Sequence, residues 1–363
     1  MSVTLEALGW DERHARTFDE LVERLHKRDL MPGRIVRQER KLLRVATPEG
    51  ELDAKNAGRL VRASSSEQLP VIGDWVAVSP APGGGEGLIH AVLPRRNVLI
   101  RREAGSEHRG QAMAANMDQV LIVWGLDRDL NARWLERAAS LVRTSAAPLL
   151  IVLSKADLTG DLGAAERAAR AAAPEAEVVV VSAQTGFGFD ALWPRLPARS
   201  TNAVLGMSGA GKSTLINRLL GTEKMATAEV READRKGRHT TTHRELLPLA
   251  NGALLIDSPG MRELGLWAGA ETSVGDTFTD VGELAQACRF SDCRHHAEPG
   301  CAVRGAVERG EFEAGRLESF QKLQRELEAK ERATDPAVTR ERKRQERNVT
   351  RAAWDASRSK RRK

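Results

Sequence analysis

The chain has 363 residues, a length for two or three domains. Hydrophobic residues make up 41% and charged residues 29%, which excludes a wholly disordered chain. The longest largely apolar run, Ala146 to Leu153, is far short of the ~18 residues a membrane helix needs, so no membrane span is expected. The formal charge of +6 is concentrated at one end: residues 340–363 carry eleven Lys/Arg and three Asp/Glu, leaving residues 1–339 at −2. Such a tail reads either as a disordered arm that binds nucleic acid through counterion release or as a solubilising extension. Residues 1–30 lack a continuous apolar stretch, so no secretory signal is expected. All three cysteines fall within Cys288–Cys301, which excludes a disulfide framework and points to a reducing cytoplasm.

In chain order, residues 4–30 read as a polar helical extension. From Gly33 the period changes. Arg34–Arg37, Leu42–Thr47, Glu51–Ala54, Asp74–Val78 and Leu88–Leu93 are short β-rich runs separated by Gly, Pro and Ser clusters. They predict a small Greek-key barrel of the OB type, with an SH3-like barrel as the alternative. Arg95, Arg96, Arg101 and Arg102 form a basic run just after the last of these, which on its own reads as a solvated connector. From about residue 118, the apolar runs Val120–Trp124, Leu149–Leu153, Val178–Val181 and Ala203–Leu205 alternate with helical stretches. This predicts a parallel sheet covered on both faces. Leu246–Leu249 and Ala253–Ile256 flank Asn251-Gly252 and predict one antiparallel edge hairpin. After Gly260 the strands stop. Residues 271–330 read as short helices around the cysteines, with Leu317, Phe320, Leu323 and Leu327 on one stripe.

Three motifs carry chemistry. Gly206-Met207-Ser208-Gly209-Ala210-Gly211-Lys212-Ser213, followed by Thr214, fits a phosphate-binding loop between a strand and a helix. Its backbone N–H groups can cradle phosphates, Lys212 can reach the β- and γ-phosphates, and the Ser213 hydroxyl can hold Mg²⁺. Ser154-Lys155-Ala156-Asp157 ends an apolar run and fits a guanine-recognition motif. The Asp157 carboxylate can accept from both guanine N–H edges, whereas adenine would leave it unpaired. Ser182-Ala183 fits the element that meets guanine O6. Asp257-Ser-Pro-Gly260 fits the turn that senses the γ-phosphate, with Asp257 toward Mg²⁺ through water and Gly260 toward the phosphate. The Thr-rich run 236–243 lies between it and the phosphate loop.

The order of these motifs is base motif, Ser-Ala, phosphate loop, Thr loop, Asp-x-x-Gly, a circular permutation of the usual GTPase order. With Gly73-Asp-Trp-Val76, Leu93-Pro-Arg-Arg96 and Lys236-Gly-Arg-His-Thr-Thr-Thr242, it makes the chain resemble the bacterial circularly permuted ribosome small-subunit-dependent GTPase family. The resemblance covers roughly residues 30–330. It implies a multidomain protein with an N-terminal β-barrel of OB fold, a central α/β circularly permuted P-loop GTPase and a C-terminal, mainly helical zinc-binding domain. The expected boundaries are 1–30 for the helical extension, 31–105 for the barrel, 110–268 for the GTPase domain, 269–333 for the zinc domain and 334–363 for the basic disordered tail. It implies a GTPase of late 30S maturation that binds 16S rRNA and GTP or GDP in the cytoplasm, expected as a monomer without a membrane. The alternative is an RNA-binding adaptor that holds guanine nucleotide without significant turnover.

Ser154 stands where that family has Asn, so an amide tie between the base motif and the phosphate loop is expected to be lost. Met261 directly after Asp-x-x-Gly cannot orient water. The resemblance points to His239 as the catalytic residue, ahead of His243, and Thr241 is preferred over Thr240 and Thr242 for Mg²⁺. Cys288, Cys293, one of His295 or His296, and Cys301 supply a closed set for one structural Zn²⁺, and the family pattern favours His295.

Overall fold

The computed structural model describes residues 4–27, 29–39, 42–81, 83, 85–102, 110–221, 244–257 and 277–334, with 63, 102 and 326–334 by their backbone alone. The chain opens with helix α1 (Glu12–Leu25), capped by the Asp11 carboxylate, which accepts from the His14 N–H. Five strands follow: β1 (Met31–Glu39), β2 (Leu42–Thr47), β3 (Gly50–Asn56), β4 (Trp75–Ser79) and β5 (Gly87–Val92). They pair in the order β1-β2-β3-β5-β4 and close through β4 on β1. The β3–β5 pairing is parallel, and helix α2 (Gly58–Ala63) fills the connection from β3 to β4. That closure selects the OB arrangement over the SH3-like alternative. Ile35, Val45, Ala54, Ile72, Val76 and Ile89 fill the interior.

A hairpin that the periodicity does not predict comes next, β6 (Val98–Arg102) with β7 (Gly110–Ala115). Its second strand, Gly-Gln-Ala-Met-Ala-Ala, is poor in β-branched residues, so no strand signal precedes it. Arg95 and Arg96 are committed to internal contacts ahead of this hairpin. The Arg95 guanidinium donates to both oxygens of the fully buried Asp74, each at 2.8 Å, and to the Leu69 carbonyl. Arg96 pairs with Asp118 at 2.8 Å. Arg95 therefore braces the barrel and is no exposed connector, and Arg101 reaches Gln111 on the facing strand.

Strands β8 (Gln119–Gly125), β9 (Leu149–Ser154), β10 (Glu177–Val180), β11 (Thr201–Leu205), β12 (Arg244–Pro248) and β13 (Leu254–Asp257) form the second half of the molecule. Their order is β10-β9-β8-β11-β13-β12, parallel except for β12. Alternate residues of β8 face opposite layers. Val120, Ile122 and Trp124 meet α3 (Ala132–Arg143) and α4 (Leu162–Ala172). Leu121 and Val123 meet α5 (Phe189–Leu192) and α6 (Lys212–Leu220). Burial on both faces is why these strands are continuous apolar runs.

The expected edge hairpin is present, but β12 is not an edge. It pairs antiparallel with β1, with Arg37 opposite Glu245 and Gln38 opposite Arg244, and so joins barrel and parallel sheet into eleven strands. Arg244 donates to the Gln38 side chain at 3.2 Å, and burial pushes its pKa down to about 10. Arg34 secures a second junction. Its buried guanidinium donates to the Leu8 and Gly73 carbonyls and to the Thr201 hydroxyl, and it lies 5.0 Å from the Trp75 ring.

The C-terminal part holds α7 (Thr279–Ala285), α8 (Ala302–Glu308) and α9 (Ala314–Thr334). Leu317, Phe320 and Leu323 of the expected stripe are buried. Arg316 docks this part on α3. It donates to Glu136 at 2.7 Å and to the Thr277 carbonyl at 3.1 Å, pairs with Asp280, and sits over the Phe278 ring.

Candidate functional site

The carboxyl ends of β8, β9, β10, β11 and β13 converge, the position where open α/β sheets bind ligands. The phosphate loop leaves β11 there. Gly206 has φ +151°, and a Cβ on it would stand 2.4 Å from the Val123 carbonyl oxygen, so only glycine fits. Gly211 caps α6 with φ +83°. Gly209 and Ser208 are exposed, while Ala210 is buried. The Lys212 ammonium bends back over its own loop and donates to the Gly206 and Met207 carbonyls, each at 2.7 Å. Ser213 and Thr214 follow on the first turn of α6.

The base motif ends β9 beside this loop. Ser154 is buried, and its hydroxyl donates to the Ala210 carbonyl at 2.6 Å, with the Trp124 carbonyl at 3.1 Å. The amide is absent, as the exchange of Asn for Ser implies, but the hydroxyl ties base motif to phosphate loop in its place. A hydroxyl one bond from Cβ spans the gap because Gly211 lets the loop come close. Lys155 adopts a left-handed backbone, φ 60°, and turns the chain so that Ala156 is buried and Asp157 exposed. The Ala156 N–H donates to the Val181 carbonyl, which locks the turn to the strand end that leads into Ser182. The Ser182 hydroxyl donates to Asp157, and the Thr185 N–H donates to that hydroxyl at 3.2 Å. Ala183 follows at the rim. One face of the Asp157 carboxylate is thus oriented from inside the protein while the residue stays open to solvent.

Asp257 ends β13 beside Val204 of β11 and is buried. A carboxylate and the Ser213 hydroxyl are hard oxygen donors of the kind Mg²⁺ takes. Gly260, His239 and Thr241 lie outside the described residues. Two neighbours carry no motif and escape a sequence reading. Asp127 and Arg128 follow β8, and the Asp127 carboxylate accepts from Lys155 Nζ at 2.8 Å. Their only sequence mark is their place after an apolar strand run.

The second cluster lies in the C-terminal part. Cys288, Cys293, His295 and Cys301 bring their donor atoms within 4.8 Å of one another. His295 Nδ1 lies 3.7 Å from the Cys288 sulfur and 3.5 Å from that of Cys301. His295 takes φ 60°, which turns it inward, while His296 is exposed and outside the cluster. The Gln321 amide donates to the His295 carbonyl and holds this turn. Burial pushes the Cys293 thiol up to about 11. Burial also opposes the Cys288 thiolate, but the Ala302 and Val303 N–H groups outweigh it and lower the pKa. Three sulfurs and one imidazole converging within this span fit a tetrahedral soft-ligand metal centre.

A phosphate loop, a guanine-type motif and an Asp-ended strand in this spatial arrangement, reached in permuted chain order and following an OB barrel, define a circularly permuted P-loop GTPase. Comparison with known proteins agrees. The sequence model of the RsgA GTPase family matches residues 92–267. A protein of Opitutus terrae named small ribosomal subunit biogenesis GTPase RsgA is 45% identical over 347 residues, 93% of this chain and 94% of that one. A Streptomyces coelicolor protein of the same name is 39% identical over 98% of this chain and 96% of that one. The chain belongs to the RsgA GTPase family. Among solved structures it is similar to YjeQ from Thermotoga maritima, with TM-score 0.57 and 26% identity over 82% of this chain and 98% of that one. It also shares its fold with YloQ, a circularly permuted GTPase, at TM-score 0.53 and 23% identity over 84% and 97% of the two chains.

Proposed function

We propose that this protein hydrolyses GTP as a maturation factor of the small ribosomal subunit, acting late and leaving after hydrolysis. The observation that carries the reading is the single hydroxyl of Ser154 joining the base loop to the phosphate loop, beside an Asp157 carboxylate oriented by Ser182. Asp157 reads guanine, with Lys155 over the base plane and the Ala183 backbone toward O6. Gly206 to Thr214 hold the phosphates. Ser213, Asp257 and Thr241 hold Mg²⁺, which when bound neutralises phosphate charge. Lys212 exchanges its loop carbonyls for the β- and γ-phosphates, a charge-assisted replacement for neutral acceptors. His239 orients the attacking water through an imidazole nitrogen, a role that Met261 cannot fill.

The Cys288, Cys293, His295 and Cys301 set holds one Zn²⁺, which stabilises the loop-rich segment between α7 and α8. Contacts to 16S rRNA come from the barrel, the zinc region and the basic tail, through backbone and shape, since the chain has no Tyr and only seven each of Phe and Trp for stacking. The factor acts in the cytoplasm as a monomer. No helix among the described residues is long and apolar enough to cross a membrane. The test is GTP turnover with and without 30S subunits. Stimulation by the subunits is expected. Turnover that ignores them refutes the ribosomal role, and tight GTP binding without turnover in either condition refutes the enzyme.

A further inference from the structure

The guanine-recognition motif includes Lys155 but not whatever holds its side chain. Here the stem runs past two glycines on different elements. A Cβ on Gly125 would stand 3.4 Å from Lys155 Cδ, and one on Gly211 would stand 3.6 Å from Lys155 Cε. The stem therefore lies along the seam between the end of β8 and the phosphate loop. Its ammonium ends on Asp127 Oδ2 at 2.8 Å. Asp127 is itself held. The Leu126 N–H donates to the Ser154 carbonyl at 2.9 Å, which pins the turn after β8 to the base motif. A Cβ on Gly125 would stand 2.6 Å from Asp127 Oδ1, so glycine lets the carboxylate come in over the strand end. Arg128 donates to both carboxylate oxygens, Nε to Oδ1 at 3.4 Å and Nη2 to Oδ2 at 3.2 Å, and so fixes the plane of the group. The Lys155 and Asp127 side chains are 28% and 27% exposed, which shields their contact better than that of two side chains free in solvent. Burial opposes ionisation of Asp127, but the hydrogen bonds from Arg128 and Lys155 outweigh it and lower its pKa.

We propose that Asp127 is a positioning residue for guanine-nucleotide binding, whose carboxylate fixes the Lys155 stem as the surface on which the base lies. The inference rests on the guanine reading of Lys155 and Asp157 above. A free lysine stem of four carbons samples many rotamers and loses that freedom when a base is laid on it. A stem already tied at its far end has less to lose, so the tie appears as affinity. Asp127 acts through Lys155 and reads no edge of the base, which leaves the choice of guanine with Asp157. Arg128 keeps the carboxylate oriented while the ammonium is bound to it.

The test is a double-mutant cycle in the full chain, with Asp127→Ala, Lys155→Met and both together, read by titration with mant-GDP and mant-IDP. Methionine keeps an unbranched stem without the ammonium, so Asp127 then has nothing to hold. With Lys155 present, Asp127→Ala is expected to weaken mant-GDP about fivefold, the upper range for a partly shielded ion pair. In the Lys155→Met background the same change should cost less than about 1.5-fold. The two nucleotides differ only at the exocyclic amine of the base, so both should weaken by the same factor. Asp127→Glu restores the charge and should bind within about twofold of the unaltered protein. The proposal is overturned if Asp127→Ala changes nothing, or if Asp127→Glu binds as weakly as Asp127→Ala. It is also overturned if the loss persists undiminished beside Lys155→Met, as a folding defect or an action through Arg128 would make it. A shift in the ratio of mant-GDP to mant-IDP affinity overturns it too, because the carboxylate then reads the base directly. Tight mant-GDP binding by the unaltered protein in the same titration separates these failures from failure of the guanine-nucleotide reading.

Discussion

Removing the Ser154 hydroxyl tests how the two halves of the nucleotide site are held together. In Ser154→Ala the Ala210 carbonyl loses its 2.6 Å donor inside a buried contact. Leaving such an acceptor unsatisfied costs about 1–3 kcal/mol. Trp124 is the longer partner at 3.1 Å and belongs to a strand that is hydrogen-bonded on both sides, so its loss adds little. The part of that cost which the empty loop avoids by relaxing reappears when nucleotide forces the loop into shape. At about 1.4 kcal/mol per factor of ten, the whole cost expressed in binding would weaken affinity about 5- to 150-fold. The tie lies at Ala210 in the phosphate loop, which faces phosphates that both nucleotides carry, so GTP and GDP should weaken together. Titrations with mant-GTP and mant-GDP measure both. A fall in GTP affinity alone, or no change in either with an unaltered melting temperature, would refute the view that this hydroxyl couples base loop and phosphate loop.

Asp157→Asn should abolish GTP binding and gain xanthosine triphosphate, because an amide donor then faces the guanine N–H groups; unchanged GTP affinity by direct titration removes Asp157 from the site. Cys293→Ser should release the metal and unfold residues ~275–305 while nucleotide binding persists, and a full metal complement by elemental analysis would refute the ligand set. His239→Ala should bind GTP almost normally yet lose about 10²–10⁴ of its 30S-stimulated rate, and wild-type turnover on 30S subunits would show that the subunit supplies the group.

Much of the architecture is legible because it rests on local pattern. Strands buried on both faces must be apolar throughout, so Val120–Trp124 and Leu149–Leu153 announce the parallel sheet. The phosphate loop is legible because glycines at Gly206 and Gly211 answer to backbone conformation, which leaves a mark in the sequence. What escapes is long-range. Arg95 reads as an exposed basic residue because nothing local tells that Asp74 lies across from it. Strand β7 hides behind alanines that pack for lack of bulk rather than through β-propensity. His295 is separated from His296 by a left-handed backbone that no periodicity carries. Ser154 misleads for another reason: whether a short side chain reaches its partner depends on how close the partner's backbone comes.

The pairing of β12 with β1 bears on how the molecule can be taken apart. A chain trimmed to begin after the barrel would keep every nucleotide motif, yet β12 would become an open edge and Arg244 would lose the Gln38 side chain that receives it. An exposed strand with unpaired amides recruits other chains, so the trimmed product is a candidate for aggregation rather than a minimal enzyme. The reverse trim is no better, since β1 would lose the partner at its Arg37–Gln38 end. The seam between the two regions is continuous hydrogen-bonded sheet, and β12 is also the strand that leaves the Thr-rich run 236–243. A swap of barrels between relatives would therefore succeed only when the donor brings a β1 that matches this register.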